Sequence, residues 1–333
     1  GVHVVVGTPG RVIDHIKRGS LNLDAVQTVV LDEADEMLNM GFKDELDTIL
    51  EFTPETKKTW LFSATMPREI RRMVKQYMDS PFEVSVDPKT TVNANIEHRY
   101  AVVKQSDKTE AMARFLELEP DLYGVVFCRT RRDTQALAED LLKMGFRADA
   151  LHGEMSQPQR DRVMSRFKNR DLQVLIATDV AARGIDVDNI THVVNYQLPD
   201  EIETYNHRSG RTGRAGKLGT SIVIVTKSEL RKISSIERII KQKFEEKTIP
   251  SGIEICEIQL LHLANKIKDT EVDHEIDNYL PAINNVLEGL SKEELIKKMV
   301  SVEFNRFIAY YKKNRDISNQ SSGSERRDRD DRD

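Results

Sequence analysis

Three carboxylates follow an apolar run near residue 30 and could take part in phosphate chemistry. They are Asp32, Glu33 and Asp35, and residues 29–31 before them do not alternate with polar residues, which predicts a strand buried on both faces. Acids at the carboxyl end of such a strand can hold a magnesium ion and prime a water beside a phosphate. The same acids could instead cap a helix that begins near Glu36. The run by itself leaves both interpretations open.

A second run, at residues 207–214, is unusually basic. It reads His207-Arg208-Ser209-Gly210-Arg211-Thr212-Gly213-Arg214, and four basic side chains in eight residues are poor material for a core. Arg211 and Arg214 are three residues apart and flanked by glycine, so they could bind one polyanion together. A solvated basic loop is the alternative interpretation.

A loop at residues 177–186 has residue types suited to a nucleotide. It follows a predicted buried strand and combines the hydroxyl of Thr178 with Arg183, Gly184 and Asp186. Gly184 would allow a close backbone approach, and the Asp186 carboxylate could bind a ribose.

Residues 1–90 predict the first of the elements that must position these side chains. Strands are predicted at 2–6, 26–31, 58–62 and 82–86, and helices at 11–17, 43–52 and 68–78. Alternation of this kind indicates a parallel, doubly wound α/β sheet. Residues 87–95 are short, polar and contain proline, which is typical of a linker.

The alternation restarts in residues 91–245 and predicts a second α/β domain. Strands are predicted at 97–103, 124–128, 148–151, 174–177, 192–196 and 220–225, with helices at 108–118, 134–144, 157–167, 201–208 and 229–241. Two such domains would leave a cleft between them. The acids would then belong to one domain and the arginines to the other, so that hydrolysis would depend on closing the cleft.

The remaining residues differ in character. Residues 246–315 predict a small helical region without strands, made of helices at 260–267, 275–280, 283–287, 292–300 and 302–311. Residues 316–333 form a charged tail poor in apolar residues, which predicts disorder.

Composition limits the classes of function. The formal net charge of −5 over 333 residues excludes a uniformly basic surface, so nucleic-acid binding would need local basic positions. The two cysteines, Cys128 and Cys256, are far apart, which argues against a disulfide or zinc framework and fits a reducing compartment. No apolar run approaches the roughly 20 residues of a membrane span.

Taken in order, the motifs resemble those of a DEAD-box RNA helicase of superfamily 2. Residues 32–35 spell the name of that family, and the resemblance covers about residues 1–245. The other matching motifs are Thr8-Pro9-Gly10-Arg11, Ser63-Ala64-Thr65, Val126-Phe127-Cys128-Arg129-Thr130, Gln157 with Arg160, residues 177–186 and residues 207–214. The resemblance implies two RecA-like parallel-sheet domains, the first of them incomplete, and ATP and Mg²⁺ as cofactors.

The resemblance also implies roles at the nucleotide. Asp32 matches the family's magnesium acid, and Glu33 the acid that orients and deprotonates the attacking water, so both are expected at the metal. Asp35 matches the residue that links to Ser63 and Thr65. The remaining catalytic and cofactor-binding matches are His207, which would bridge toward the acid and Ser-Ala-Thr loops, Arg211 and Arg214 at the γ-phosphate, and Gly184 and Asp186 at the ribose.

RNA is the partner that the resemblance implies. Thr8, Gly10 and Arg11 resemble the family's backbone-binding loop of the first domain. The matches in the second domain are Thr130, Arg131, Gln157, Arg160 and Thr178. These side chains suit phosphates and sugars, so binding should be largely independent of sequence.

One departure from the family pattern is large. The phosphate-binding run Gly-x-x-x-x-Gly-Lys-Thr and the adenine motif do not occur; at Gly216-Lys217 the next residue is Leu218, and position 211 is Arg. We expect these motifs upstream of Gly1, in a chain truncated at its N-terminus, and we expect the 333 residues alone not to turn over ATP.

The region after residue 245 resembles the dimerisation region of bacterial cold-shock DEAD-box helicases. The resemblance rests on Ile249-Pro250-Ser251-Gly252, residues 256–260 and residues 300–307. It implies a homodimer formed through residues 250–312 in a cytoplasmic protein. The alternative is a self-contained helical cap on the second domain.

Two further functions compete with that of an RNA helicase. An RNA clamp that uses ATP only to lock onto its strand would use the same residues, so the sequence does not separate the two. A DNA-translocating helicase is disfavoured, because the motifs of such enzymes usually depart from Asp-Glu-Ala-Asp and Ser-Ala-Thr.

Overall fold

The computed structural model describes residues 2–85, 95–182, 185, 187–214, 216–313 and 317. Its internal contacts divide the chain into two compact units, Gly1–Val86 (unit 1) and Asp87–Asp333 (unit 2). The predicted linker, residues 87–95, lies outside the described residues except for Asn95, as does the predicted tail, residues 316–333, except for Ile317. The domain boundaries at 245 and 315 remain predictions.

Unit 1 contains a two-stranded parallel sheet. Strands β1 (Thr28–Leu31) and β2 (Lys58–Leu61) pair with Val30 opposite Trp60. The helices are α1 (Pro9–Lys17), α2 (Ala34–Asn39), α3 (Lys43–Glu51) and α4 (Arg68–Tyr77). Leu31 packs with apolar residues of α2, α3 and α4, namely Ala34, Leu46, Leu50, Ile70 and Met73.

Two predicted strands of unit 1 are absent from its described part. Residues 2–6 and 81–85 are irregular, and Val6 and Phe82 are 93% and 92% exposed. A strand requires a neighbouring strand to take up its backbone hydrogen bonds. Neither segment pairs with β1 or β2, so an apolar, β-branched composition alone does not make it a strand.

The prediction that β1 is buried on both faces was wrong. Leu31 is 6% exposed, whereas Val30 on the other face is 53% exposed and its cross-strand neighbour Trp60 is 57% exposed. The apolar cluster of α2, α3 and α4 covers the face of Leu31. The opposite face is exposed despite its apolar residues.

Unit 2 contains a seven-stranded parallel sheet, which confirms the α/β prediction. The strands are β3 (Ile96–Val102), β4 (Gly124–Cys128), β5 (Ala148–Leu151), β6 (Val174–Thr178), β7 (His192–Asn195), β8 (Gly219–Val225) and β9 (Glu245–Glu246). Their order in the sheet is β5-β6-β4-β7-β8-β3-β9. Every residue of β4 and β6 is buried, as expected for central strands covered on both faces.

Helices alternate with these strands. They are α5 (Lys108–Leu118), α6 (Arg131–Lys143), α7 (Gln157–Lys168), α8 (Asp179–Ala182), α9 (Ile202–Ser209) and α10 (Leu230–Ile240), with 3-10 turns at Gln105–Asp107 and Lys227–Glu229. The observed bounds of α5, β4 and β5 equal the predicted ones. Strand β9 was not predicted, because two exposed glutamates carry no apolar pattern.

The C-terminal part of unit 2 is helical. It comprises α11 (Gly252–Asp269), a 3-10 turn (His274–Asn278), α12 (Leu280–Leu287) and α13 (Lys292–Lys313). The predicted helices 292–300 and 302–311 are one continuous helix, since neither glycine nor proline interrupts the run. No described helix is both long and apolar enough to traverse a lipid bilayer.

Helices α11 and α13 pack against α5. Arg114 of α5 is 1% exposed and donates to the Pro250 carbonyl at 2.9 Å, and its guanidinium carbon lies 5.4 Å from the centre of the Tyr311 ring. Gly252 begins α11 where a Cβ would lie 2.7 Å from Cδ1 of Tyr311, so no larger residue fits without a shift. The Tyr311 hydroxyl donates to the carboxylate of Glu117.

Glu117 is expected to make the attachment of these helices sensitive to pH. Burial raises the pKa of Glu117 from 4.5 to about 7, and the neighbouring Glu110 acts in the same direction while Tyr311 and Arg114 oppose it. Because the folded state holds the proton more tightly, its stabilisation is present below the ordinary pKa and is lost as the pH rises through about 7. We expect this contribution to lower the thermal midpoint of wild type relative to that of Glu117→Gln by about 2–4 °C between roughly pH 6 and pH 8.

The measurement is thermal unfolding of wild type and Glu117→Gln across that pH range. The Gln variant should lack the fall that Glu117 causes, whereas Glu257→Gln on the exposed face of α11 should show it as wild type does. Parallel curves for Glu117→Gln and wild type would contradict the assignment.

Candidate active site

The acids Asp32 and Glu33 lie directly beyond the carboxyl end of β1, with exposed side chains. Glu33 has a φ of 51°, in the left-handed region that costs a non-glycine residue about 1–2 kcal/mol. It is the N-cap residue of α2, but its side chain makes no capping hydrogen bond in the part of the chain that the structure describes. The helix-cap interpretation therefore fails for Glu33, and the carboxylate remains available to a ligand.

Asp35 links the acid run to the segment after β2. Its side chain is buried, and Oδ2 accepts hydrogen bonds from the Thr65 backbone N–H at 2.8 Å and the Thr65 hydroxyl at 2.7 Å. Ser63 instead donates its hydroxyl to the Thr65 carbonyl at 2.7 Å. The structure thus brings Asp35 and Thr65 into direct contact, and Ser63 is hydrogen-bonded to Thr65.

Removal of the Thr65 hydroxyl should destabilise unit 1. Thr65→Val would leave the buried Asp35 carboxylate with one donor fewer, and we expect a loss of about 1–3 kcal/mol in the free energy of unfolding, measured by denaturant titration. Thr59→Val is the matched control, because the Thr59 hydroxyl is buried and has no hydrogen-bond partner among the described residues, so its loss should be neutral or stabilising. Equal effects of the two substitutions would refute the importance of the Asp35–Thr65 contact.

The donor set beyond β1 fits a magnesium ion that is shared with a substrate. No group of three or more His, Cys, Asp or Glu side chains suited to a metal occurs within the described residues. Mg²⁺ is commonly held through one or two carboxylates together with water and substrate phosphates. Asp32 and Glu33 supply two exposed carboxylates of this kind.

The predicted RNA-contacting residues of unit 1 lie at the start of α1. Thr8 is the N-cap residue, and its carbonyl accepts from the backbone N–H of Arg11 at 3.0 Å. A Cβ added to Gly10 would meet no heavy atom within 4 Å, and the Arg11 side chain is 64% exposed beside Asp14. A hydroxyl, an open backbone and a guanidinium are thus exposed together at one helix N-terminus.

The predicted RNA-contacting residues of unit 2 follow three neighbouring strands. Thr130 and Arg131 follow β4, Gln157 and Arg160 follow β5, and Thr178 ends β6. Because these strands are parallel and adjacent, their carboxyl ends lie at one edge of the sheet. The structure therefore places these residues along the same edge.

Acidic neighbours hold three of these side chains in place. The contacts are Thr130 with Asp133 at 2.8 Å, Gln157 with Asp161 at 2.7 Å, and Arg131 with Glu154. Thr130, Arg131 and Gln157 are exposed, so a polyanion could reach them, whereas Arg160 is half-buried and Thr178 is buried.

The predicted phosphate-contacting residues, Arg211 and Arg214, lie in the loop that follows helix α9. Arg211 donates to the Ile185 carbonyl at 3.3 Å, and the exposed Arg214 donates to the Gly210 carbonyl at 2.9 Å. His207 lies within α9 and is half-buried. The two predicted ribose contacts, Gly184 and Asp186, lie outside the described residues.

Comparison with known proteins identifies the family. The model for the DEAD/DEAH box helicase family matches residues 1–73, and the model for the helicase conserved C-terminal domain matches residues 104–216. The DEAD-box ATP-dependent RNA helicase CshA of Bacillus cereus is 42% identical over 286 residues, which cover 86% of this chain and 54% of that protein. The chain belongs to the DEAD-box helicase family.

Further matches extend the comparison. The ATP-dependent RNA helicase DeaD of Mycobacterium tuberculosis is 45% identical over 267 residues, covering 80% of this chain and 47% of that protein. The model for the helical domain of probable ATP-dependent RNA helicases matches residues 255–312. This DEAD-box chain thus spans about half the length of the curated relatives it matches.

A solved structure supports the predicted fold. Saccharomyces cerevisiae Dbp5, bound to RNA and ADP BeF3, is similar with a TM-score of 0.69 and 29% identity, over 76% of this chain and 68% of that one. The prediction of a RecA-like, parallel-sheet DEAD-box fold is confirmed.

Arg208 is a buried site residue that the sequence reasoning missed. It lies between His207 and Arg211 in the basic run of this DEAD-box chain, yet its side chain is only 1% exposed. Nε and Nη2 donate to the two carboxylate oxygens of Asp179 at 2.6 and 2.7 Å. The expectation that these basic side chains stay out of the core was therefore wrong for Arg208. The feature of the sequence that could have revealed the buried position of Arg208 was Asp179, an acid directly after a buried strand.

Proposed function

We propose that the chain is part of an ATP-dependent RNA helicase that binds the RNA backbone and separates short duplexes locally as ATP closes two domains. The observation that carries the proposal is the carboxyl edge of the sheet in unit 2. There, the proposed RNA-contacting side chains lie at or after the ends of β5, β6 and β4, and helix α9 with the arginine-bearing loop beyond it follows the next strand, β7. Family membership and the RNA-bound Dbp5 structure support the same conclusion.

The proposed chemistry is attack of water on the γ-phosphate of ATP. Glu33 orients the water and accepts its proton, and its exposed position beyond β1 leaves room for that water. Asp32 and Glu33 would hold the magnesium ion, which when bound neutralises charge on the phosphates. Arg211 and Arg214 contact the γ-phosphate, and Arg214, the more exposed of the two, stabilises charge that develops during transfer.

The remaining site residues position these groups in the proposed mechanism. Asp35 holds the segment after β2 against the acid run through its hydrogen bonds to Thr65. Ser63 supports the position of Thr65 with a further hydrogen bond. His207 bridges from α9 toward the same segments when the domains close. Gly184 and Asp186 would contact the ribose.

RNA is the proposed polymer substrate. Thr8, Gly10 and Arg11 in unit 1 would bind phosphates and sugars, together with Thr130, Arg131, Gln157, Arg160 and Thr178 in unit 2. Contacts of this kind position a strand without reading its bases. Contacts to the 2′-OH would favour RNA over DNA.

The 333 residues contain no Gly-x-x-x-x-Gly-Lys-Ser/Thr run, so we infer that they do not turn over ATP by themselves. The test compares these residues with the complete gene product in RNA-stimulated ATP hydrolysis and in unwinding of a short RNA duplex. We expect unwinding by the complete gene product and no stimulated hydrolysis by the 333 residues.

Other outcomes of that test decide against parts of the proposal. Vigorous hydrolysis by the 333 residues would contradict the need for the phosphate loop. ATP-dependent retention of RNA without unwinding would favour the RNA clamp. Equal stimulation by DNA and RNA strands would contradict RNA as the substrate.

We further propose a homodimer formed through residues 250–312. Helices α12 and α13 expose several apolar side chains, which include Ile283, Val286, Ile296, Met299 and Val302. Val286 and Val302 are 83% and 82% exposed. Apolar surface of this kind is typical of interfaces. A second copy is the occupant that the resemblance to the dimerisation region favours.

Sedimentation velocity tests the dimer. Val302→Lys should shift the protein toward monomer, whereas Leu142→Lys, at an exposed apolar position on α6, should not. A monomeric wild type at micromolar concentration would refute the proposal.

We infer a cytoplasmic location for this protein. Cys128 and Cys256 are both free thiols, which fits a reducing compartment, and ATP and RNA are available there. Fractionation of cells with an antibody against the chain would test it, and recovery outside the cytoplasm would contradict it.

A further inference from the structure

Four basic side chains cover the exposed face of helix α4 in unit 1. They are Arg68, Arg71, Arg72 and Lys75, at positions i, i+3, i+4 and i+7 of the helix, and all four are exposed. Residues at this spacing lie on one face of an α-helix, and the first and last are about 10 Å apart along its axis. We refer to these four residues as the α4 stripe.

The opposite face of α4 fixes the orientation of the helix. Ile70 and Met73 are buried in the apolar cluster that contains Leu31. At the last residue of the helix, the Tyr77 hydroxyl donates to Oδ1 of Asp47 in α3 at 2.8 Å. The α4 stripe is therefore held on the side of the helix that faces away from the core of unit 1.

No ion pair neutralises the α4 stripe within the part of the chain that the structure describes. Arg71 donates from Nε to the Met66 carbonyl at 3.3 Å, which leaves its charge uncompensated. Glu69, the acid within α4 itself, is exposed and forms no described ion pair with the stripe. The positive charges of the four side chains are thus available to a ligand.

The other helices of unit 1 show the contrast. Arg11 and Arg18 of α1 both pair with Asp14, at 2.9 and 2.8 Å, and Lys43 of α3 pairs with Asp47 at 2.9 Å. Solvated helix faces in this unit therefore supply their own counter-charges. In a chain whose net charge is −5, the α4 stripe is a local basic surface that would attract a polyanion.

We propose that the α4 stripe is a second RNA-binding surface, which binds phosphates of the RNA that flanks the strand held by the proposed contact residues. The inference rests on the proposed function in one respect, that RNA is the polymer bound. Three of the four side chains are arginines, whose planar guanidinium can bind a phosphate through two parallel hydrogen bonds. Because the stripe includes none of the proposed nucleotide-binding residues, its contribution does not depend on ATP.

The test measures how the affinity for RNA depends on salt. Dissociation constants of the complete gene product are determined by fluorescence anisotropy over a series of potassium chloride concentrations. One RNA is a short single strand, and the other is the same strand extended by a hairpin. Each phosphate that the protein neutralises adds about 0.7 to 0.9 to the slope of log affinity against log salt concentration.

The double variant Arg68→Gln/Arg72→Gln removes two charges of the α4 stripe. For the hairpin-extended RNA, we expect the slope to become shallower by about 1 to 2, with the largest loss of affinity at low salt. The loss should be the same with and without a non-hydrolysable ATP analogue, and the affinity for the short strand should equal that of wild type. The thermal midpoint should stay within about 2 °C of wild type, because both side chains are exposed.

Two further variants show whether a loss is specific. Arg231→Gln/Arg238→Gln removes the same charge from two exposed arginines of α10 and should keep the slope of wild type. Arg68→Lys/Arg72→Lys keeps the charge of the stripe and should also keep the slope. An equal loss in the α10 variant would show a general effect of net charge and would overturn the inference.

The remaining outcomes are equally decisive. An unchanged slope in Arg68→Gln/Arg72→Gln would overturn the inference and would favour an acidic protein as the ligand of the stripe. An equal loss of affinity for the short strand would place α4 in the core strand site, which also contradicts a separate surface. Absence of binding of either RNA by the wild-type protein would overturn the proposed function instead.

Discussion

Replacing Glu33 by Gln is expected to lower RNA-stimulated ATP turnover of the complete gene product by about 10²- to 10⁴-fold. Gln keeps the shape of the side chain and can still orient a water, but it cannot accept the proton. The left-handed backbone at Glu33 is independent of the carboxylate, since no side-chain cap bond is made there. Asp32 remains to hold the magnesium ion, so binding of RNA in the presence of ATP should survive and the main loss should lie in the turnover number.

Glu51→Gln is the control for this prediction, because Glu51 is an exposed glutamate at the end of α3. It should leave turnover unchanged. Turnover of Glu33→Gln within a few-fold of wild type would show that another group accepts the proton, and the assignment of Glu33 as the base would be withdrawn.

Replacing Arg214 by Ala is expected to have an effect at least as large. An arginine that stabilises the charge developing on a transferred phosphoryl group contributes about 10³- to 10⁵-fold in turnover. Arg214 is exposed, and the one hydrogen bond described for its side chain goes to the Gly210 carbonyl at 2.9 Å. Its loss should thus cost little stability, and the loss should lie in the turnover number at saturating ATP and RNA.

Arg238→Ala tests whether that loss is specific. Arg238 is an exposed arginine of α10, outside the proposed site, and its variant should turn over ATP as wild type does. Thermal unfolding of both variants should match wild type within about 2 °C. An Arg214→Ala variant that turns over ATP at near the wild-type rate would contradict its role at the γ-phosphate.

The central strands of the unit 2 sheet were predictable because they are buried on both faces. A strand such as β4 (Gly124–Cys128) reads as an uninterrupted apolar run bounded by polar residues, and the observed bounds equal the predicted ones. The helices between the strands show the longer period of an amphipathic helix. This period can be read from the sequence without knowing which elements pack together.

Unit 1 shows where the same reasoning fails. Residues 2–6 have the composition of a strand, but a strand is defined by hydrogen bonds to a neighbour, and that segment is irregular and exposed. Likewise the pattern of β1 predicts two buried faces, whereas among the described residues helices cover the face of Leu31 and leave Val30 53% exposed. Composition reports what a segment could bury, not what packs against it.

The family, the order of the motifs and the residue types available at each loop all follow from the amino-acid sequence alone. These groups can be located from the sequence because they lie next to strands that are recognisable from their apolar pattern. The acids lie beyond β1, and the hydroxyls, the amide and the arginines lie at the ends of β4, β5 and β6.

Only the tertiary structure shows which of these groups are in contact. Asp35 and Thr65 are 30 residues apart, and Arg208 and Asp179 are 29 apart, yet each pair is joined by two hydrogen bonds. The physical reason is that a buried carboxylate or guanidinium is stable only with its partner in place, and that partner is supplied by the packing of separate elements. The sequence therefore showed Arg208 as one more basic residue in a glycine-rich run, and the fold made it the buried partner of Asp179.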